Sequence, residues 1–387
     1  MRDLKIFAKT VDEKAKAQID LLLEQKAFAE CKVRIMPDVH AGAGCVIGFT
    51  ANLGDKVIPN IVGVDIGCGM YCCPIGMVDV DFAKLDTFIR KRIPAGMNVH
   101  DKPREFFDIK SLYCYDQLRN KEWLENSIGT LGGGNHFIEV DEDGEGYKYL
   151  VIHSGSRNIG KQVADIYQQI AIETLRKAGV EMLIERLKAE GRHSEIHSAV
   201  TEAKKKKADA PPKDLCYLDG ENRERYLHDM RICQEFATRN RERIAADICQ
   251  YMHWAPLDPF HTVHNYIDGD NMVRKGAISA KLGEPLLIPI NMRDGCIIGV
   301  GKGNEDWNCS APHGAGRIMS RMEARKRIDI GEYAEAMNGI YTTSVGFDTV
   351  DEAPQAYKPM EEIIDCIGDT VEIVSTIKPV YNFKAAN

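Results

Sequence analysis

Long apolar runs are missing from the 387-residue sequence: no stretch of about twenty such residues occurs, so we predict no membrane-spanning helix. The first residues, Met1 to Lys5, carry mixed charge and precede no apolar segment typical of a signal peptide, so we expect none. None of the twelve cysteines is spaced as CxxC, and Cys72 and Cys73 are adjacent. Without a secretory signal, we expect mostly buried thiols in a reducing cytoplasm.

The sequence also lacks an overall excess of basic residues, and its formal net charge is −8. This charge argues against nonspecific polyanion binding by the whole surface, although a local basic groove stays compatible with it. One basic run, Lys204 to Lys207, precedes Ala208-Asp209-Ala210-Pro211-Pro212 and predicts a solvated turn. It is interpreted either as an exposed helix end or as an RNA contact.

The order of predicted elements favours one catalytic domain of the α+β class, with an apolar fraction of 44% that supports a sizeable core. Short apolar strands broken by glycines are predicted over residues 31–75, 128–157 and 255–312. We expect helices near 11–25 and over 314–328, and one long helical tract over 159–252. Because the chemistry-bearing motifs lie on both sides of that tract, we interpret 159–252 as an insertion within a domain spanning 1–387.

Five residues form a candidate metal-ligand set: Asp65, Cys68, His136, His153 and His264. Imidazole and thiolate suit transition metals, a thiolate can bridge two ions, and a carboxylate widens the choice toward manganese. The spacing matches neither a zinc finger nor an HExxH helix. Each histidine taken alone is equally compatible with a hydrogen-bonded residue of the core or of a loop.

His313 is a candidate nucleophile, because an imidazole nitrogen can attack phosphorus and form a phosphoramidate. The following Gly314-Ala315-Gly316 would let backbone N–H groups approach phosphate oxygens, helped by the N-terminus of the helix predicted to begin there. Arg317 would add charge-assisted hydrogen bonds. The alternative is that this histidine-glycine pair simply forms a turn.

Three further loops are candidate ligand contacts: Asp38 to Gly42, Ser154 to Arg157, and Pro289 to Gly295. Arg157 would hold a phosphate, whereas Asp38 is interpreted either as a functional group or as a turn cap. As isolated strings, all three are turn-forming sequences first.

Taken together, these motifs resemble the RtcB family of RNA-splicing ligases. The matching strings run in the family's order: Pro37-Asp38-Val39-His40, Val64-Asp65-Ile66-Gly67-Cys68-Gly69, Gly132-Gly133-Gly134-Asn135-His136-Phe137-Ile138-Glu139, His153-Ser154-Gly155-Ser156-Arg157, Val263-His264-Asn265-Tyr266, Arg274-Lys275-Gly276-Ala277 and His313-Gly314-Ala315-Gly316-Arg317. The resemblance implies an RtcB-like fold. It also implies a ligase that uses GTP and two Mn²⁺ ions to join an RNA 2′,3′-cyclic phosphate or 3′-phosphate to a 5′-hydroxyl.

Carried over residue by residue, the resemblance makes His313 the guanylylated residue, oriented by Asp38. Cys68 is implied as the ligand shared by two manganese ions, with His153 and His264 at one ion and Asp65 and His136 at the other. Arg157 is implied to hold RNA phosphate. The residues that match the family's guanylate pocket are Asn135, His136, Phe137, Ile138, Glu139, His264, Asn265, Pro289, Ile290, Asn291, Met292, Cys296, His313, Gly314, Ala315, Gly316, Tyr357 and Lys384. Cys296 departs from the serine or other polar residue that the family often has there.

Two rival functions accompany the ligase hypothesis. A metallo-phosphoesterase that opens cyclic phosphates would use the metal set but not His313. A protein that binds broken RNA ends without catalysis would need Arg157 and a basic groove, but no intact metal set. The RNA itself, from tRNA splicing or from repair of tRNA or ribosomal RNA, is left open by the sequence, as are an activating protein partner and the oligomeric state.

Overall fold

The computed structural model describes residues 3–205 and 211–385. The helices of these ranges are α1 (Glu13–Leu23), α2 (Pro59–Val62), α3 (Phe82–Arg92), α4 (Lys121–Glu125), α5 (Arg157–Ala189), α6 (Ile196–Lys205), α7 (Gly220–Met252), α8 (Arg321–Arg327), α9 (Ile330–Ala336) and α10 (Met360–Ile367). The strands are β1 (Leu4–Ile6), β2 (Val33–His40), β3 (Ile47–Asn52), β4 (Gly69–Gly76), β5 (Phe137–Glu142), β6 (Lys148–Ser154), β7 (Phe260–Val263), β8 (Asn265–Ile267), β9 (Met272–Lys275), β10 (Ala277–Ser279), β11 (Pro285–Asn291), β12 (Gly295–Gly301), β13 (Ser310–Pro312), β14 (Tyr341–Thr342) and β15 (Val371–Lys384).

The largest sheet has eight strands, in the order β11-β12-β15-β5-β6-β4-β7 with β14 beside β15. Its pairs are antiparallel except for β14 and β15. The first residue of β4, Gly69, is opposite both Ser154 at the end of β6 and Val263 at the end of β7. Phe137, which begins β5, is opposite His153. One edge of this sheet therefore collects the starts of β4 and β5 and the ends of β6 and β7.

A second sheet has five strands in the order β1-β2-β3-β9-β8, and β10 pairs with β13 in a two-stranded ladder. The largest apolar core includes Ile35 of β2, Phe49 of β3, Val163 of α5 and Phe236 of α7. Both long helices of the tract, α5 and α7, therefore contribute to this core. The division into one domain with an insertion at 159–252 stays a prediction, whereas the α+β class of a single domain is confirmed.

Local sequence explains where the first helix begins. α1 starts at Glu13, and the Asp12 side chain caps it by accepting a hydrogen bond from the Ala15 backbone N–H at 2.9 Å. The predicted helix near residues 11–25 is therefore confirmed. Of the turn predicted over residues 204–212, residues 206–210 lie outside the described residues, as do the side chains of Lys204 and Lys205.

The helix predicted from residue 314 begins instead at Arg321, where the Ser320 side chain caps it. The preceding segment follows strand β13, which pairs with β10, so extended structure continues up to Pro312. Gly316 then has φ +79, a left-handed conformation that interrupts any helix. The predicted contribution of a helix N-terminus beside His313 is therefore wrong.

Within residues 3–205 and 211–385, no helix combines the length and the apolar character needed to cross a membrane.

Candidate active site

A cavity of about 310 Å³ opens at the edge of the eight-stranded sheet where β4, β5, β6 and β7 meet. It is lined by residues of both larger sheets and of the loop after β13. These residues are His40, Ile47, Asp65, Cys68, Asn135, Phe137, Glu139, His153, His264, Asn265, Gly276, Pro289, Ile290, Asn291, Met292, His313, Gly314, Ala315, Gly316, Arg317, Arg321, Glu352, Tyr357 and Lys384. Most of the residues singled out from the sequence thus meet in one place.

The five candidate metal ligands converge because of the sheet's antiparallel connections. Asp65 and Cys68 precede β4, His136 precedes β5, His153 lies near the end of β6, and His264 follows β7. These strand ends share one edge, as the register of Gly69 with Ser154 and Val263 requires. Residues far apart in sequence are therefore brought together by strand pairing.

Two overlapping groups of ligand atoms result, and Cys68 belongs to both. In one, atoms of Cys68, His153 and His264 lie within 4.8 Å of one another, and the Cys68 sulfur is 3.3 Å from His153 Nε2. In the other, Asp65, Cys68 and His136 meet the same limit. There His136 Nε2 is 3.1 Å from Asp65 Oδ2 and 3.5 Å from the Cys68 sulfur. These are the two ligand groups that the family resemblance implies for two ions.

Backbone carbonyls fix the ring orientation of two of these histidines. His136 Nδ1 donates to the Leu131 carbonyl at 2.8 Å, and His153 Nδ1 donates to the Asn135 carbonyl at 3.1 Å. Because a carbonyl only accepts, Nδ1 carries a proton in both rings, and Nε2 is the ring nitrogen that faces Cys68. Metal-binding histidines usually have such a partner for the second nitrogen.

The protonation states also suit metal binding. Burial, reinforced by neighbouring cationic and imidazole groups, holds the pKa values of His153 and His264 well below their usual range, so both rings are neutral and able to ligate. His264 Nδ1 is buried without a hydrogen-bond partner among the described residues. Burial also raises the pKa of the Cys68 thiol, with a contribution from Asp65. A bound cation would favour the thiolate instead, so the donor set fits a pair of transition-metal ions.

Close backbone packing shapes the Asp65–Cys68 turn. Gly67 has φ +73, and a Cβ there would lie 2.8 Å from the Cα of Gln234 on α7. The buried Arg241 of α7 donates to the Gly67 and Ser154 carbonyls at 2.8 and 2.7 Å. These contacts join the turn to the end of β6, so α7 positions the ligands without entering the cavity.

His313 lies beside the candidate metal ligands and is held by Asp38. Its Nδ1 donates to Asp38 Oδ2 at 2.6 Å, and its backbone N–H donates to the same oxygen at 3.1 Å. Asp38 is fully buried, whereas the His313 side chain is 20% exposed. The ring centroids of His313 and His264 are 4.9 Å apart. Since Nδ1 is occupied, Nε2 is the nitrogen free to react with a ligand in the cavity.

Glycine is required beside this pair. A Cβ on Gly316 would lie 2.4 Å from the Asp38 carbonyl oxygen, so no other residue fits without a shift of the backbone. The segment Gly314 to Gly316 therefore passes directly over Asp38 and lines the cavity. This close approach, rather than a helix N-terminus, accounts for Gly316.

A buried ion cluster closes another side of the cavity. The Glu352 carboxylate is 2% exposed and lies 2.9 Å from Lys384 Nζ, 2.7 Å from Arg321 and 3.2 Å from Arg317. Tyr357 donates a further hydrogen bond to it at 2.8 Å. Although burial opposes ionisation, these cations lower the pKa of Glu352 to about 2. The Arg317 guanidinium, predicted to contact phosphate, is engaged in this cluster.

Glu352 and Arg321 were missed by the sequence analysis, as was the lining role of His40, Ile47 and Gly276. His40 and Gly276 belong to strings that match the family motifs, and that match could have identified them as cavity-lining residues. Glu352 lies in an acidic loop segment that resembles solvent-exposed sequence, and no local pattern distinguishes it.

Three residues predicted for the nucleotide pocket do not line the cavity: His136, Ile138 and Cys296. Strand alternation explains Ile138, because Phe137 and Glu139 face the cavity and the residue between them packs into a core on the other face. Cys296 is fully buried on β12, below the cavity wall. His136 is buried in the metal cluster, so its predicted direct contact with nucleotide is not supported by the geometry.

Arg157 opens α5 at a φ of +57 and lies close to the cluster. Its Nε donates to the Thr130 hydroxyl at 2.9 Å and its guanidinium to the Gly96 carbonyl at 2.8 Å. Burial lowers its pKa to about 10, which leaves it charged at neutral pH. It does not line the cavity, so its predicted RNA contact would lie beyond the nucleotide site.

This chain resembles known proteins along most of its length. The model of one family, described as tRNA-splicing ligase RtcB, matches residues 23–114 and 113–385. RNA-splicing ligase RtcB of Escherichia coli (strain K12) is 27% identical over 420 residues, covering 97% of this chain and 96% of that protein. tRNA-splicing ligase RtcB of Aeropyrum pernix is 26% identical, covering 85% and 82%. That of Nanoarchaeum equitans is 24% identical, covering 89% and 86%.

Proposed function

The chain belongs to the RtcB family, and from this premise we propose that it is an RNA ligase dependent on GTP and manganese. It joins RNA ends that carry a 2′,3′-cyclic phosphate or 3′-phosphate to ends with a 5′-hydroxyl, in tRNA splicing or RNA repair. The observation that carries the proposal is the position of His313, whose ring lies 4.9 Å from that of the metal-ligand candidate His264 in one cavity.

The two rival functions explain this juxtaposition less well. A phosphoesterase needs the ligand groups around Cys68 but has no use for a histidine whose Nδ1 is held by a buried carboxylate. A protein that only binds RNA ends needs neither. A histidine anchored through Nδ1 with Nε2 open to the cavity is the arrangement expected of a nucleophile.

In the first step, Nε2 of His313 attacks the α-phosphorus of GTP. A nitrogen–phosphorus bond forms, the bond from the α-phosphorus to the bridging oxygen breaks, and pyrophosphate leaves. The ring becomes positively charged as the bond forms, and the Asp38 carboxylate 2.6 Å from Nδ1 stabilises that charge. Asp38 also keeps the proton on Nδ1, so the attacking lone pair stays on Nε2.

In the second step, an oxygen of the RNA 3′-phosphate attacks the phosphorus of the guanylyl group, and His313 departs. The 3′ end then carries a pyrophosphate-type bond with GMP as its leaving group.

In the third step, the 5′-hydroxyl attacks the RNA phosphorus, the new phosphodiester forms, GMP leaves and the hydroxyl proton is released. A cyclic phosphate is first opened by water. When bound, two metal ions supply charge neutralisation and orientation of the reacting oxygens.

Guanine recognition is assigned to Glu139 and Lys384, which line the cavity. The Glu139 carboxylate would accept from guanine N1–H and the N2 amino group, and Lys384 Nζ would donate to O6. Lys384 already donates to the Asn135 carbonyl at 2.9 Å, which fixes its position. Adenine has neither donor, so ATP would leave a buried acceptor without a partner.

Arg157 is proposed to hold a phosphate of the RNA. The RNA partner is proposed to be broken tRNA or ribosomal RNA. We place the enzyme in the reducing cytoplasm, a proposal supported by twelve free cysteines, ten of them buried. An activating protein partner is compatible with this function.

The test uses two RNA oligonucleotides, one ending in a labelled 2′,3′-cyclic phosphate and the other beginning with a 5′-hydroxyl. With GTP and Mn²⁺ the protein should produce a joined product, and with ATP in place of GTP it should not. Opening of the cyclic phosphate without joining would support the phosphoesterase instead. RNA binding with neither reaction would support the end-binding protein.

A further inference from the structure

The eight-stranded sheet curves so that its two edges approach each other. At this approach the Leu287 backbone N–H on β11 donates to the Thr262 hydroxyl on β7 at 3.1 Å. Side chains from β4, β5, β6, β11, β12 and β15 pack together in one cluster on the enclosed face. Residues on strands that are not neighbours in the sheet can therefore meet across this interior.

Three ionisable side chains lie in this otherwise apolar interior: Glu139 and Asp141 on β5, and Cys296 on β12. Positions 139 and 141 share one face of their strand because side chains alternate. Each of the three side chains is at most 2% exposed. Their ligand atoms lie within 4.8 Å of one another, the same limit that the two groups around Cys68 meet. The proposed mechanism uses Glu139 but neither Asp141 nor Cys296.

The Asp141 carboxylate has no hydrogen-bond partner. It is fully buried, and neither of its oxygens accepts a hydrogen bond from the residues that the structure describes. On the neighbouring strand β15, Asn382 donates through its amide nitrogen to Glu139 Oε1. The amide oxygen of Asn382 is also buried without a partner among the described residues. Buried carboxylates are strongly unfavourable unless they are paired with a cation or coordinate a metal ion.

The protein itself does not supply the missing cation. Neither Glu139 nor Asp141 forms an ion pair within the described part of the chain. The nearby Lys384 is engaged elsewhere, because its Nζ lies 2.9 Å from the Glu352 carboxylate and donates to the Asn135 carbonyl at 2.9 Å. Two carboxylates and a thiol thus share a buried space without a counter-charge, which is the donor set of a metal site.

We propose that Glu139, Asp141 and Cys296 bind a metal ion of the zinc class, separate from the two ions proposed at Cys68. A thiolate among the donors favours Zn²⁺ over Mg²⁺ or Mn²⁺, which are better suited to oxygen ligands alone. The Cys296 thiol loses its proton to solvent as the sulfur–metal bond forms. The ion joins β5 to β12 across the enclosed face and stabilises the fold beneath the cavity.

The site is compatible with the role proposed for Glu139 at guanine. Each carboxylate oxygen carries two lone pairs, so the group can hold an ion below and still accept hydrogen bonds from the cavity side. Because Glu139 lines the cavity, the ion also has a route from solvent. The metal site goes beyond the ligase function and does not depend on it.

The experiment titrates the full chain carrying Cys68→Ala with Co²⁺, a spectroscopic substitute for Zn²⁺. Replacing Cys68 removes the thiolate from both other ligand groups. A sulfur-to-cobalt charge-transfer band in the near ultraviolet must then come from another cysteine. We expect this band to saturate at one cobalt per chain and to disappear when excess Zn²⁺ displaces the cobalt.

Adding Cys296→Ser should abolish the band. Adding Asp141→Asn should weaken cobalt binding by more than about 100-fold, which is the upper end of the loss when a group only orients a ligand. Cys72→Ser is the matched control, because Cys72 is an equally buried thiol of the same face and belongs to none of the ligand groups among the described residues. It should leave the band and its saturation unchanged.

A band that survives Cys296→Ser, or the absence of any band in Cys68→Ala, would overturn the proposal. Anomalous diffraction from zinc-soaked crystals of the unmodified protein decides it even if a variant does not fold. A zinc peak between Glu139, Asp141 and Cys296 is expected, and no peak there would refute the site. None of these measurements uses GTP, RNA or joining activity, so failure of this site is distinguishable from failure of the ligase function.

Discussion

Replacing Asp38 with asparagine tests how the nucleophile is prepared. One oxygen, Oδ2, accepts from both His313 Nδ1 and the His313 backbone N–H, at 2.6 and 3.1 Å. An asparagine oxygen in that position keeps both hydrogen bonds, and its amide group then occupies the place of Oδ1, which has no partner among the described residues. Asp38→Asn should therefore preserve the ring and its tautomer but remove the negative charge.

The size of the effect follows from that lost charge. Opposite charges about 4 Å apart interact by roughly 4 kcal/mol at an effective dielectric constant of about 20. A neutral hydrogen bond recovers about 1 kcal/mol. A loss of roughly 2–4 kcal/mol at the transition state slows guanylylation by about 30- to 1000-fold. Asp38→Ala also removes both hydrogen bonds that orient the His313 ring, so its guanylylation should be slower than that of Asp38→Asn by about another tenfold.

Guanylylation is measured in a single turnover with labelled GTP, by the amount of label bound to denatured protein over time. Asp165→Asn serves as a control, because Asp165 is an exposed residue of α5 paired with Lys161. It should react at the wild-type rate. A wild-type rate in folded Asp38→Asn would refute the argument, since the charge on Asp38 would then have no part in the reaction.

Three further outcomes are expected. Cys68→Ala should retain less manganese than His153→Ala after desalting, because the thiol belongs to both ligand groups, and equal metal content would contradict sharing. Arg157→Ala should slow RNA joining more than guanylylation and reduce the salt dependence of joining, and an equal loss of both would place it at the nucleotide. Glu352→Gln should lower the unfolding free energy by about 3 kcal/mol at neutral pH. Because the folded pKa of Glu352 is lowered to about 2, this difference should persist above its ordinary pKa near 4.5 and vanish as pH falls toward 2.

The sequence predicts the grouping of the candidate metal ligands better than the wall of the cavity. Each candidate ligand follows or precedes a glycine-rich or apolar strand segment, so its place at a strand end could be inferred from the sequence. These ligands are Asp65, Cys68, His136, His153 and His264. Their convergence depends on strand pairing across a sheet, which no local pattern specifies. The family motifs supplied that long-range information.

Errors arose where tertiary contacts decide local structure. Residues 314–320 were predicted to be helical. The backbone of Gly316 instead passes so close to Asp38 that a Cβ there would lie 2.4 Å from the Asp38 carbonyl oxygen, and its φ of +79 interrupts a helix. Glu352 was not predicted, because its burial depends on three cations, two from the segment after β13 and one from the end of β15. Such networks are created by the fold and leave little trace in sequence.

Intact mass measurement after incubation with GTP and Mn²⁺ shows whether His313 becomes guanylylated. The wild-type protein should gain the mass of one GMP, attached through a bond that is lost in acid and maps to His313. His313→Ala should gain nothing while retaining its manganese, because the ring contacts Asp38 rather than the Cys68 cluster. Covalent GMP on His313→Ala, or its absence from the metal-loaded wild type, would contradict the account.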